Sequence, residues 1–133
     1  MKSEPDEFSW AHLAARGSTE SVWDGVRNHQ AAGFLRAMQP GDEAFFHHTG
    51  SERRIVGIMQ ITRAAFPDPT DPDGRFVSVG VRALRALPTP VPLTLLRADP
   101  AFAECPLVRQ PRLSVMPIAP EHWAAILARA GAS

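Results

Sequence analysis

Apolar residues recur at helical spacing near both ends of the chain and alternate with polar ones through its middle. Ser9 can cap a short helix that carries Trp10, Leu13 and Ala14 and ends at Gly17. Ala31, Phe34, Leu35 and Met38 fall at i, i+3, i+4 and i+7, which predicts a helix over 29–38 that starts near Asn28 and is stopped by Pro40-Gly41. Pro120 suits the first turn of a last helix over 120–130, with Trp123, Ile126, Leu127 and Ala130 on one stripe. Between them, Glu43–Thr49 and Ile55–Thr62 read as strands, joined by a hairpin loop at Gly50-Ser51-Glu52-Arg53-Arg54. Three prolines between Pro67 and Gly74 forbid a ladder and predict a rigid loop. Phe76–Leu87 alternates cleanly, with Val77, Val79, Val81 and Ala83 on one face, and Pro88, Pro90 and Pro92 are expected to break it. Leu93–Ala98 reads as a short helix and Leu113–Met116 as a last strand. A strand-rich middle with helices near the ends predicts an α+β fold: a curved or barrel-like, mainly antiparallel β-sheet with flanking α-helices.

At 133 residues, with no repeat and no dividing linker, the chain is expected to be a single domain over 1–133. Hydrophobic residues at 44% and charged residues at 21% are the balance of a globular protein. No apolar run nears the roughly 18 residues of a membrane span, and no signal-like apolar segment opens the chain. Cys105 is alone, which excludes an internal disulfide framework and a cysteine-rich zinc site and fits a cytoplasmic location. The formal net charge of zero speaks against coating nucleic acid by phosphate neutralisation alone. That zero hides an asymmetry, because residues 1–74 hold seven basic and eleven acidic side chains and residues 75–133 hold seven and three. The second part could present a basic face to phosphates, or simply reflect a coding bias toward Arg, Ala and Pro.

Conventional catalytic signatures are absent: there is no Gly-rich phosphate loop, Gly-x-Ser-x-Gly elbow or His-Glu-x-x-His pair. His47 and His48 are neighbours in an expected strand, so they point to opposite faces and cannot share a metal ion. Asp71, Asp73 and Gly74 look like a fragment of a calcium loop, but Pro72 and the missing distal Glu make a turn the better reading. Three stretches stand out. Lys2-Ser3-Glu4-Pro5-Asp6-Glu7 is polar where a first strand should begin, and Val22–Gln30 sets Trp23 beside Gly25 and a dense group of amide, guanidinium and imidazole donors. Leu107–Val115 brings Arg109, Gln110 and Arg112 together. On composition alone, Trp23 reads as a core plug or as a ligand platform.

Taken in order, Lys2-Ser3-Glu4-Pro5, Trp23-Asp24-Gly25-Val26-Arg27-Asn28, Leu35-Arg36-Ala37-Met38, Gly41-Asp42, Phe45-Phe46-His47-His48, Val56-Gly57-Ile58, Pro67-Asp68-Pro69 and Arg112-Leu113-Ser114-Val115 resemble the EVE domain family along essentially the whole chain. The resemblance implies a PUA-like fold related to the YTH domains that read methylated adenine in RNA. It implies a pocket for a modified nucleobase, of methylated cytosine or adenine type, and no catalytic reaction, cofactor or metal. Its partner would be DNA or RNA carrying such a base, met by a monomer and away from membranes. Two departures stand out: Met1 directly precedes Lys2 where family members carry a few apolar and aromatic residues of the first strand, and His29 stands where a Tyr is usual.

A base swung out of its stack loses a few kcal/mol that a pocket must replace, and an aromatic face restores about 1–3 kcal/mol of it. By the resemblance Trp23 is that face, with Phe76, Phe66 beside Pro67, or Phe46 as the opposite wall. Ser3 and Glu4 would meet the hydrogen-bonding edge, with the amides of Asn28 and Gln30, and His48 would stand at the same cavity. Arg27, Arg109 and Arg112, with Lys2 and Ser114, would form a rim for flanking phosphates, although Arg27 could equally pair with Asp24. An alternative is a binder of a free modified nucleoside or nucleotide. A hydrolase using His48, Asp68 and a water has only the residue types behind it.

Overall fold

A computed structural model describes residues 1–132. Five strands form one sheet in the order β1-β3-β4-β5-β2, where β1 is Lys2–Ser3, β2 Ser21–Trp23, β3 Glu43–His48, β4 Arg54–Pro67 and β5 Val77–Pro92. β1 runs parallel to β3 and every other pairing is antiparallel. The register of β4 against β5 shifts four times along their length, which lets two long strands bend around a core instead of lying flat. The helices are α1 (Trp10–Ala15), α2 (His29–Ala37), α3 (Leu93–Arg97), α4 (Pro106–Arg109) and α5 (Pro120–Arg129), with a 3-10 turn at Pro100–Phe102.

Caps set the first two helices where the sequence predicts them. Ser9 accepts from the His12 backbone N–H while the His12 ring accepts from the Ser9 N–H, closing a reciprocal cap on α1. Asn28 accepts from Ala31 N–H at 2.9 Å and opens α2. The strand expected to break at Pro88 instead continues as β5 to Pro92. The ladder to β4 steps from Gly57↔Ala86 to Ile55↔Val91, so Pro88 and Pro90 fall where no ladder bond is required. The intervening Thr89 N–H donates to Ala130 O at 3.1 Å. No strand forms at Leu113–Met116; Leu113 N–H closes a turn on Gln110 O, and Ser114 O accepts from Lys2 N–H.

Residues 45–48 of β3 are all buried, because the sheet is covered on both faces. On one face Phe46 meets the rings of Trp10, Trp23 and His48 edge-on. On the other Phe45 stacks on Trp123 of α5, and His47 faces a cavity of about 340 Å³ lined by apolar side chains such as Phe34, Met38 and Ile118 and by the charged Lys2, Asp42 and Glu43. His47 and His48 thus diverge, as their adjacency requires. Trp23 and His48, two of the expected site residues, pack on the Phe46 face.

Candidate functional site

A cleft of about 850 Å³ opens between the turn after β1, the segment Val22–Asn28 and Ser114. Ser3, Glu4, Trp23, Asn28, Lys2, Arg27 and Ser114 all line it, so the chain brings together the two polar stretches at its start and one residue from far along. Trp23 is 6% exposed and is enclosed by rings, Phe8 and Phe46 standing perpendicular to it with centroids 6.3 and 5.4 Å away. It therefore plugs the core with most of its surface and shows the cleft only a part of the ring.

Phe8, which no motif marks, is the second aromatic at the cleft. It stands beside Trp23 because α1 begins just after it, and Ser3 Oγ–H donates to its carbonyl at 2.6 Å. The second walls expected from the sequence lie elsewhere. Phe76 is turned away to stack on His29, centroids 4.9 Å apart, under the Arg27 guanidinium. Phe46 is fully buried behind Trp23, and Phe66 and Pro67 end β4, with the Phe66 ring under Arg63. None of these four lines the cleft.

His48 is also outside it. Its Nε2 accepts from Trp10 N–H at 3.0 Å and its Nδ1 faces Glu52 Oε1 at 3.0 Å, which fixes the proton on Nδ1 and makes the ring a latch between β3 and α1. Asp68 is bonded to Gly25, Arg27 and Thr70 and not to His48, so the residue types that suggested a hydrolase are not paired.

Asp68 instead organises the loop that follows Trp23. Its carboxylate, buried from solvent, accepts from Gly25 N–H at 2.8 Å, Arg27 Nη1 at 2.9 Å, and both the N–H and the hydroxyl of Thr70 at 2.7 Å. Burial by itself raises its pKa, but these donors outweigh that effect and hold it at about 2. Gly25 at φ +79° lets the chain turn so that its N–H meets the carboxylate. Arg27 is thereby committed to Asp68 and Thr70, not to Asp24 and not to a free rim. Asp71 likewise uses its carboxylate on the N–H groups of Asp73, Arg75 and Phe76, the turn expected in place of a calcium loop.

Beside the cleft a shallower groove of about 430 Å³ is lined by Asn28, Gln30, Gln110, Pro111, Arg112 and Leu113. Gln30 and Arg112 sit here and not in the cleft, while Arg109 pairs with Glu104 and lines neither. Lys2 joins the two hollows, since it lines the cleft and its Nζ donates to Pro111 O at 2.8 Å. Its pKa is lowered, by burial first and then by the nearby Arg97 charge. Among the described residues no three His, Cys, Asp or Glu side chains are placed to hold a metal ion.

The EVE domain family model matches residues 1–129. The chain belongs to the EVE domain family. It is 36% identical to mouse thymocyte nuclear protein 1 and 33% to the human protein, in each case over 96% of this chain and about 70% of the relative. A structure of a protein from Agrobacterium tumefaciens superposes with a TM-score of 0.95 at 37% identity, covering 98% of this chain and 90% of that one. The human protein crystallised with DNA containing 5-methylcytosine superposes with a TM-score of 0.89 at 32% identity, covering 100% of this chain and 96% of that one. The EVE fold is PUA-like α+β, and the mixed five-stranded sheet with its flanking helices is that fold.

Proposed function

We propose that this protein is a non-catalytic reader of nucleic acid that takes a modified base, of the methylcytosine type, into the cleft beside Trp23. One observation carries the reading: the cleft sits on a fold shared end to end with a human relative crystallised with 5-methylcytosine DNA. The chemistry of the cleft is compatible with a base. Trp23 and Phe8 meet as a corner, one ring across the other, and offer an apolar contact for a ring and its methyl group. Seating a base flat on Trp23 requires the half-buried Phe8 to turn aside. Glu4, Glu7, Glu20 and Asp24 line the cleft, Glu20 also accepting from the Thr62 hydroxyl, and a carboxylate accepts well from the exocyclic amine of cytosine or adenine.

One methyl group in an apolar corner contributes about 0.8 kcal/mol, so a preference of several-fold over the unmodified base is expected from the methyl contact alone. Titrating short oligonucleotides that differ by one 5-methyl group, at two salt concentrations, tests this. The expected outcome is tighter binding of the methylated strand and an affinity that falls with salt, because contacts to a polymer release counterions. Equal affinity for free 5-methyldeoxycytidine and the oligonucleotide, with no salt dependence, would favour a nucleoside binder instead.

A further inference from the structure

We infer that the groove beside the cleft is the seat of a backbone phosphate and sugar, belonging to the nucleotide next to the one whose base enters the cleft. The inference rests on the base-reader assignment and gives it a strand path. The two hollows adjoin, since Asn28 lines both and Lys2, on the wall of the cleft, donates to Pro111 O on the wall of the groove. Their charges are segregated. The cleft carries four carboxylates against Lys2, Arg16 and Arg27, whereas the groove has no acid on its walls and one guanidinium. A phosphodiester would be repelled from the first and drawn to the second, while a base edge bearing an amine has the opposite preference.

The groove also keeps its donors free. Arg112 is exposed and has no carboxylate or hydrogen-bond partner among the described residues, unlike Arg27 and Arg109, the other two arginines of the expected rim. Asn28 spends its carbonyl oxygen on the cap of α2 and retains its NH2 group. Gln30 and Gln110 are exposed carboxamides on the same walls, and the exposed Pro111, backed by the buried Leu113, is an apolar surface on which a sugar can rest. Planar guanidinium and amide donors around an acid-free hollow are the chemistry of phosphate contact. The smallest complete ligand is then a dinucleotide step.

The test uses a six-nucleotide single strand with one central 5-methylcytosine, in which the linkage on one side or the other of that nucleotide is an uncharged methylphosphonate. Replacing the phosphate at one of the two linkages should weaken binding to the wild-type protein by about ten-fold, the loss of one charge-assisted contact. Arg112→Ala should weaken the all-phosphate strand to a similar extent and respond no further to the methylphosphonate. Its ratio of affinities for methylated and unmethylated strands should not change. A methylphosphonate without effect at either linkage, or an equal further loss in Arg112→Ala, would overturn the groove assignment while leaving a methyl-dependent affinity intact. Absence of any methyl preference in the wild-type protein would instead remove the base-reader assignment, and the groove assignment with it.

Discussion

Asp68 sets the shape of the cleft without lining it. The loop Asp24–Asn28 has no strand partner, and its conformation depends on a carboxylate that receives donors from Gly25, Arg27 and Thr70 at once. Asp68→Asn keeps the volume but turns one acceptor into a donor facing donors. The expected cost is about 1–3 kcal/mol of folding stability, measured by denaturant unfolding, together with weaker binding of the methylated strand. Because the folded pKa lies near 2, below its ordinary value, the stabilisation is present at neutral pH and lost as pH falls from about 4 to 2. The Pro67-Asp68-Pro69 motif was visible in the sequence, but its partners were not, since Gly25 and Asp68 are 43 residues apart and meet because β2 and the end of β4 both pair with β5. The same limit applies to Phe8 and Phe76. Both are single aromatics next to polar turns, and which of them faces Trp23 is decided by the Ser9 cap and by the His29 stack respectively.

At the scale of elements, local signals placed α1, α2, α5 and the β3–β4 hairpin within a residue or two, except that β4 runs on to Pro67. They failed where the tertiary ladder overrides composition. Pro88 and Pro90 survive in β5 because the register skips them, and Leu113–Met116 lacks a strand because it meets the free edge of β1 through the single bond from Lys2 N–H to Ser114 O while Leu113 N–H is spent on a turn. Close approach of α1 to the sheet depends on Gly57. A Cβ built there would come within 2.6 Å of the Trp10 ring, which no rotation of the methyl group can relieve. Gly57→Ala should therefore push α1 off β4, destabilise the fold by about 1–3 kcal/mol and displace Phe8 from the cleft. Thermal unfolding and the Trp fluorescence of the folded protein report the two effects. A variant as stable as the wild type, with unchanged fluorescence, would show that α1 is not held this closely.

Across the whole molecule the two faces of β3 divide the work, the Phe46 face carrying the cleft and the Phe45 face the core under α5. His47 on the second face is 3% exposed, and neither ring nitrogen has a partner among the described residues. Burial, reinforced by nearby positive charge, pushes its pKa down to about 3. The unfolded chain takes up that proton near pH 6.5 and the folded chain does not, so stability falls as pH drops from about 6.5 toward 3. His47→Leu should flatten the stability profile over that range, and an unchanged profile would place the acid sensitivity elsewhere. Four successive residues are buried in β3 and in β5 alike, yet β5 shows its period in the sequence because the small Ser78 and Gly80 alternate with Val77, Val79 and Val81, whereas Phe45-Phe46-His47-His48 does not.

On the proposed reading Trp23 meets the modified base and Arg112 a phosphate. The most direct test is the affinity of Trp23→Phe and Arg112→Ala for the same oligonucleotide with and without a single 5-methyl group, each variant first shown to be folded. Trp23→Phe keeps an aromatic plug in the core but shrinks the surface offered to the cleft. It should reduce or abolish the methyl preference, while Arg112→Ala lowers both affinities by a common factor and reduces the salt slope by about one. A methyl preference that survives Trp23→Phe unchanged and disappears in Arg112→Ala would contradict the account and move the base to the groove.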